Sequence, residues 1–409
     1  MSALSIALTV GFGLGLWLLL ARVWGVSLFG ASWLALVQVH GVVQLFGFVG
    51  LLAMGIGLHA VPRFRGGGPP PPLLAWTAYA GTVAGLALRS VAQPIPDLPA
   101  RGALMLVGGG LLVVGTLAFG GAAIGSLLAG RNPHRPDELV MGAGISFFPV
   151  AALLVALEAV GSAPLIIDQT TDERALWTML LGAIGTLIFG VWARLAPGFV
   201  AALPARQRPL LAGVALWLSG VAFLAAGIAA GPWLLLAGLA TTTYALNVFG
   251  PGIARQPLRD HARLTRIGVR SAFGWAFVGI GILAAGTLGA AGSYLQVSAG
   301  RHAVALGFVT LMIFAVGARA LPAFLDRRLW SPSLQIGTLV IANLGVVLRV
   351  VPQLLQDAEL DPIVGISGIL SYTSLLLFTV NVIRTLRGPR APVTVTGAAV
   401  HLDLRLGKR

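Results

Sequence analysis

Two histidines lie inside long apolar stretches of this sequence, where an imidazole is unusual. His40 lies in a run that continues to Pro62, and His302 begins the segment HAVALGFVTLMIFAVGARALP. A polar side chain at membrane depth must be hydrogen-bonded or must coordinate an ion or cofactor. We therefore take His40 and His302 as candidate ligands. The alternative is that they are unrelated polar residues, each satisfied by its neighbours.

The other four histidines are weaker candidates. His134, His261 and His401 lie in basic loops or in the C-terminal tail, so we interpret them as solvated. His59 lies at the inner end of its apolar run, beside basic residues, and we expect it at the membrane interface.

Two arginines follow the candidate histidines in the next apolar stretches. Arg89 lies in ALRSVAQPI and Arg349 in VLRVVPQLL. Both histidines are near the outer ends of spans that run inward, so two imidazoles at similar depth can serve as the axial ligands of one haem. Arginines at that level can bind its propionates. The alternative is ordinary interfacial arginine, reaching to lipid headgroups.

Composition places these residues in a membrane protein. Of 409 residues 57% are apolar and 10% are charged, and the mean hydropathy is +0.91. Soluble domains carry about 25% charge, so a soluble monomer is excluded. The net charge of +14 comes from arginines in short loops, which indicates topology and not nucleic-acid binding. Without cysteine, the chain has no iron–sulfur cluster, thioether-linked haem or thiolate metal site.

Twelve apolar segments are long enough to predict an all-α, polytopic membrane protein. They cover about 3–23, 31–62, 72–93, 102–130, 139–162, 174–203, 208–230, 232–254, 268–291, 298–325, 332–354 and 362–385.

The loops between these segments alternate in charge. Those after even-numbered segments contain Arg63, Arg65, Arg131, Arg135, Arg206, Arg208, Arg255, Arg259, Arg263, Arg266, Arg327, Arg328, Arg384, Arg387 and Arg390. Those after odd-numbered segments hold most acids, including Asp168, Asp172, Glu173, Asp357, Glu359 and Asp361. The positive-inside rule therefore predicts a protein of the cytoplasmic (inner) membrane with both termini in the cytoplasm. We expect one membrane domain over 1–390 and a basic cytoplasmic tail over 391–409.

Three segments resemble one another. The stretch from Trp177 to Pro197 aligns without a gap to that from His302 to Pro322, with eight identities in 21 positions. Residues 47–64 align to 307–324 with eight identities in 18 positions. This similarity predicts three pseudo-repeats of four helices, over about 1–130, 139–254 and 268–385. Shared Gly- and Ala-rich composition is the alternative explanation.

These motifs resemble the haem–copper oxidase superfamily, whose central subunit has twelve helices in three pseudo-repeats of four. There a low-spin haem is held by histidines of helices 2 and 10, where His40 and His302 lie, and Arg349 falls where propionate-binding arginines follow helix 11. HGVVQLFGFVGLLAMGIGLHAVP and ALWTMLLGAIGTLIFGVWAR are more specifically similar to NnrS, a membrane family linked to nitric oxide stress.

Departures from the oxidase pattern are as informative as the matches. Gly300 replaces the histidine that serves a high-spin haem, and segments 6 and 7 lack histidines for copper. Trp177 replaces a histidine that NnrS proteins tend to carry near the start of helix 6. The resemblance then implies one bis-histidine haem b and no copper, with a role in electron transfer or nitric oxide response. We expect no oxidase or reductase catalysis by this chain alone.

Two other functions stay open at the sequence level. One is an accessory subunit of a respiratory complex, with or without haem. The other is a secondary transporter, although those usually have two-fold repeats and midplane charges. Proton pumping is disfavoured because no acid lies deep within a segment, and Glu158 comes closest. The acidic stretch DQTTDE, from Asp168 to Glu173, is a candidate outer-face contact for a redox partner protein, or simply a solvated loop.

Overall fold

A computed structural model of the chain describes residues 1–26, 30–160, 166–252, 260–289, 293–356 and 358–389. Within these ranges the chain is helical, with turns and one isolated bridge between Ala202 and Gly252. Several predictions concern residues outside the described ranges, namely Arg255, Arg259, Asp357, Arg390, His401 and the tail 391–409.

Twelve continuous helical segments follow one another along the described chain. We number them α1 (Ser2–Val23), α2 (Trp33–Phe64), α3 (Pro72–Ala92), α4 (Arg101–Ala129), α5 (Pro136–Leu157), α6 (Gln169–Val200), α7 (Gln207–Ala225), α8 (Gly231–Ala245), α9 (Asp260–Gly286), α10 (Tyr294–Phe324), α11 (Pro332–Leu355) and α12 (Asp361–Arg387). Short 3-10 turns, Gly30–Ser32 and Ala358–Leu360, precede α2 and α12.

Ten of these helices are long and apolar enough to cross a membrane, so the chain is a multi-pass membrane protein. The two others are α3 and α8. The fifteen residues of α8 rise only ~22 Å, less than the ~30 Å of a hydrocarbon core. In α3 the Trp, Tyr, Thr and Arg side chains dilute an otherwise apolar sequence. For the segments 72–93 and 232–254, membrane crossing therefore stays a prediction.

Some predicted boundaries were wrong at the polar ends of helices. Arg263 and Arg266, expected in a loop, lie in the first turns of α9. The segment predicted over 232–254 ends as a helix at Ala245, because Asn247 adopts a left-handed conformation with φ of 52°. Because the residues after that turn are also apolar, the sequence predicted a longer helix than the structure has.

Three helices contain an eight-residue π-helical stretch. These stretches cover 43–50 of α2, 178–185 of α6 and 303–310 of α10. A glycine occupies the fifth position of each, and a Cβ there would come within 2.6–2.8 Å of a side chain of the preceding odd-numbered helix. These pairs are Gly47 with Ile6, Gly182 with Phe147, and Gly307 with Trp275. Each π stretch therefore packs closely against that helix.

The described chain divides into two compact units. Unit 1 comprises Met1–Val191 and Leu216–Leu234, and unit 2 comprises Trp192–Ala215 and Leu235–Arg409. In unit 1, α3, α4 and α5 pack in sequence order, and a Cβ on Gly85 of α3 would lie 2.6 Å from the Gly108 carbonyl oxygen of α4. Small residues of this kind let membrane helices approach closely.

In unit 2, α9 packs along α10, and α11 packs against both α10 and α12. The α11–α12 contact is close, since a Cβ on Gly345 would lie 2.9 Å from Ser371 Oγ. This arrangement holds the first turns of α10 beside the last turns of α11.

Candidate functional site

His302 lies in unit 2, immediately before the π stretch of α10, and it is half-buried. Its Nδ1 is 2.7 Å from the Ser298 carbonyl oxygen, and its Nε2 is 3.2 Å from Nη2 of Arg349. A carbonyl only accepts and a guanidinium only donates, so Nδ1 carries the hydrogen and Nε2 the lone pair. This tautomer presents Nε2 as the nitrogen able to bind a metal.

A short polar chain supports this histidine. Ser298 Oγ lies 3.3 Å from His302 Nδ1 and accepts a hydrogen bond of 3.3 Å from Gln353 Nε2. Ser298 and Gln353 are 6% and 5% exposed. Gln353 is one turn beyond Arg349 on α11, so α11 contacts the His302 environment through both residues. Arg349 and His302 are thus in contact, and their role as cofactor ligands stays a prediction.

His40 lies in unit 1, three residues before the π stretch of α2. Its Nδ1 donates to the Gly11 carbonyl oxygen of α1 at 2.9 Å, which leaves the lone pair of the neutral ring on Nε2. A Cβ on Gly15 would be 2.5 Å from His40 Cε1, so only glycine lets the ring lie this close to α1. The two candidate ligands thus share the same protonation pattern, each within its own unit.

Arg89, the other predicted propionate ligand, already binds a carboxylate in unit 1. Its Nη2 is 2.5 Å from Glu158 Oε2, and its Nη1 donates to the Val155 carbonyl oxygen at 3.2 Å. Arg89 and Glu158 are 1% and 5% exposed. The sequence did not reveal this pair because its members are 69 residues apart.

Sequence reasoning also missed two buried glutamines. Gln93 Nε2 donates to Gln38 Oε1 at 3.0 Å, and Gln38 in turn bonds the backbone of Ile167. Gln93 follows Arg89 by four residues, as Gln353 follows Arg349. This shared Arg-x-x-x-Gln spacing is visible in ALRSVAQPI and VLRVVPQLL and is the signal that points to both glutamines.

Glu158 directly follows the last residue of α5 and lies outside that spanning helix. Burial raises the pKa of its carboxyl to about 7, Arg89 opposes the rise, and Asp172 adds to it. Asp172 is itself 6% exposed, in the first turn of α6. The expectation that DQTTDE forms a solvated loop is therefore wrong for Asp172, since this stretch begins a helix with Asp168 as its N-cap.

A second buried ion pair lies at the other end of α5. Arg65 Nε is 3.5 Å from Glu138 Oε2, and both side chains are almost fully buried. Arg65 also donates to the carbonyl oxygens of Leu127, in the last turn of α4, and of Gly130 and Asn132, which follow that helix. Arg65 lies in the turn after α2, as predicted, but its side chain is buried and fixes the turn between α4 and α5.

Within the described part of the chain, no group of three or more His, Cys, Asp or Glu side chains is placed to hold a metal ion.

Comparison with known proteins identifies the family. No curated protein matches this chain. The family model described as NnrS protein matches residues 4–390, which is nearly the whole chain. The protein therefore belongs to the NnrS family.

Proposed function

We propose that this protein is a membrane-embedded b-type haem protein in which His40 and His302 are the axial ligands of one haem, acting in electron transfer or in the response to nitric oxide. The observation that carries the proposal is the shared protonation pattern of the two rings. In each, Nδ1–H donates to a backbone carbonyl, and metal-binding histidines typically make such a hydrogen bond with the ring nitrogen that does not bind the metal.

The residues around His302 fit this cofactor. Nε2 now accepts from Arg349, so iron binding there would displace one hydrogen bond and leave a guanidinium beside the ligand ring. That guanidinium is suited to a propionate. Arg89 would reach a second propionate only by sharing its guanidinium with Glu158. The bound haem would supply one-electron redox chemistry.

The proposal includes no catalytic oxidase centre. Both axial positions are assigned to imidazoles, Gly300 occupies the place of a second haem ligand, and no copper is expected. Transient contact with a redox partner on the outer face then provides the electron.

We also infer a threefold, oxidase-like repeat of four helices. Corresponding features of the first and third repeats are 260 residues apart. The π stretches begin at 43 and 303, and the polar residues around the two histidines lie at 38 and 298, 89 and 349, and 93 and 353. The π stretch beginning at 178 lies 125 before 303, the offset of the sequence alignment. With these offsets, Val42 and Trp177 are the residues that correspond to His302. His40 therefore lies two residues before the position that corresponds to His302.

The test is a reduced-minus-oxidised absorption spectrum of the detergent-purified protein, with iron and copper measured on the same sample. We expect a sharp low-spin b-type band and iron without copper. His40→Ala and His302→Ala should each abolish the band, and His134→Ala, which changes an exposed histidine, should retain it. A colourless, iron-free protein would contradict the proposal and favour a haem-free accessory subunit or a transporter.

A further inference from the structure

Two buried glutamates mark the two ends of α5. Glu138 lies in its first turn and pairs with Arg65, and Glu158 follows its last residue and pairs with Arg89. The helix dipole favours a negative charge at the N-terminus and opposes one at the C-terminus. The dipole of α5 therefore disfavours an ionised Glu158.

Two charged side chains act on the Glu158 carboxyl group in opposite directions. Arg89 of α3 favours the carboxylate, and Asp172 in the first turn of α6 disfavours it. Met105 of α4 belongs to the same apolar cluster as Ala159, the residue after Glu158. Burial in these apolar surroundings is the largest influence on the Glu158 carboxyl group, and it favours the protonated form.

The two oxygens of Glu158 are unequal. Oε2 accepts from Arg89, and Oε1 is buried without a hydrogen-bond partner among the described residues. An unsatisfied buried carboxylate oxygen costs free energy, which protonation relieves by removing the charge. The place for the proton is therefore Oε1.

We propose that Glu158 is a proton-exchanging carboxyl group of this protein and that it takes up a proton when the haem is reduced. When one electron enters from an external donor protein, one proton from water binds Glu158 Oε1 and converts the carboxylate to the acid. Oxidation releases the electron and the proton. The coupling to reduction rests on the proposed function, whereas proton exchange by Glu158 does not.

The structure connects this carboxyl group to the His40 helix. The Gln93–Gln38 hydrogen bond joins α3 to α2, one turn from Arg89 on one helix and two residues from His40 on the other. Protein interiors have a low effective dielectric constant, so a negative charge added near α2 raises the proton affinity of the Glu158 carboxylate, which Arg89 binds from α3.

The first test is infrared spectroscopy of the purified protein over a pH series, with or without haem. We expect the carbonyl band of a protonated acid to disappear as the pH rises through neutrality. Glu158→Gln should remove this band, and Glu138→Gln, the matched acid on the same helix, should leave it. Glu158→Asp, which keeps a carboxyl group, should restore a band with a changed midpoint. A band that survives Glu158→Gln overturns the proposal.

The second test is the haem midpoint potential as a function of pH. The wild type and Glu138→Gln should fall by up to ~59 mV per pH unit, a tenfold change in equilibrium constant per unit, and Glu158→Gln should be flat over the same range. An unchanged slope in Glu158→Gln overturns the coupling. A protein without haem would refute the proposed function, while the infrared series would still decide on Glu158.

Discussion

Two buried arginines join neighbouring helices of unit 1. Arg65 and Arg89 are 2% and 1% exposed, and each is bound to a buried glutamate and to backbone carbonyl oxygen. A buried charge that loses its partner is costly, whereas an exposed one is not. The two arginines are therefore expected to be far more sensitive to substitution than those on the surface.

Arg65→Leu should lower the free energy of unfolding by about 3–5 kcal/mol, because Glu138 would stay buried without its cation. The measurement is thermal unfolding of the detergent-solubilised protein. Arg63→Leu is the control, since Arg63 is exposed and donates only to the His59 carbonyl oxygen. Equal effects of the two substitutions would contradict the role given to Arg65.

Glu158 should make stability fall as pH rises. Its pKa of about 7 in the folded chain exceeds the ordinary value of 4.5, so the folded state binds the proton more tightly. This contribution is complete below about pH 4.5 and is lost as the pH rises through 7. The unfolding temperature should drop between pH 5 and pH 8 in the wild type and less in Glu158→Gln. A drop of the same size in both proteins would exclude Glu158 as its source.

Chemistry alone marks a few single residues of the sequence as candidates. His40, His302 and Arg349 stand out because polar groups are rare in apolar segments. The structure brings His302 and Arg349 into contact, and the role of all three as cofactor ligands stays a prediction. Glu158 and Gln38 did not stand out as partners, because each depends on a residue of another helix. Burial and pairing of that kind are tertiary properties that spacing along the chain does not contain.

At the scale of elements, the π stretches combine an unusual backbone with a required glycine. The stretch 303–310 begins directly after His302, and Gly307 within it faces Trp275 of α9. π-helical turns are rare and often occur at functional sites. The packing of Gly307 thus helps to determine where the first turns of α10 lie.

Gly307→Ala should destabilise unit 2 by about 1–3 kcal/mol, because the added methyl would come 2.6 Å from Trp275 Cβ and Cγ. Gly281→Ala in α9 is the control, since a Cβ there meets nothing within 4 Å. Thermal unfolding of both variants and the wild type makes the comparison. A neutral Gly307→Ala would show that Trp275 moves aside easily.

Helices were easier to predict than their ends and internal geometry. Apolar length located the ten helices of the described chain that can cross a membrane, because hydrocarbon requires intrachain hydrogen bonds. The early end of α8 escaped prediction, since Val248 and Phe249 continue the apolar sequence beyond the turn at Asn247. π geometry also escaped, because the same glycine- and alanine-rich residues are compatible with an α-helix.

For the whole molecule, the arrangement across the membrane is the main open prediction, and the absence of cysteine makes it directly testable. His134→Cys, between α4 and α5, should react with an impermeant maleimide only from the cytoplasmic side. Ala229→Cys, between α7 and α8, should react only from the outside. Both positions are exposed in the structure. The extent of labelling is compared between intact cells and inverted vesicles. The opposite pattern would show that the predicted orientation is reversed.

The π stretches also let α2, α6 and α10 hold one more residue than an α-helix would hold at the same place. A π turn closes its hydrogen bond to the fifth residue along the chain, and an α turn closes it to the fourth. Removing one residue from 43–50 would allow that stretch to return to α-helical pairing while the chain on either side keeps nearly its rotational phase. His40 lies before the stretch, so a one-codon deletion there would leave the direction of its imidazole nearly unchanged. A deletion in the α-helical part after residue 50 would instead turn the chain before it by about 100° relative to the chain after it. A change in length of one residue is thus tolerated inside each π stretch and disruptive elsewhere in the same helix.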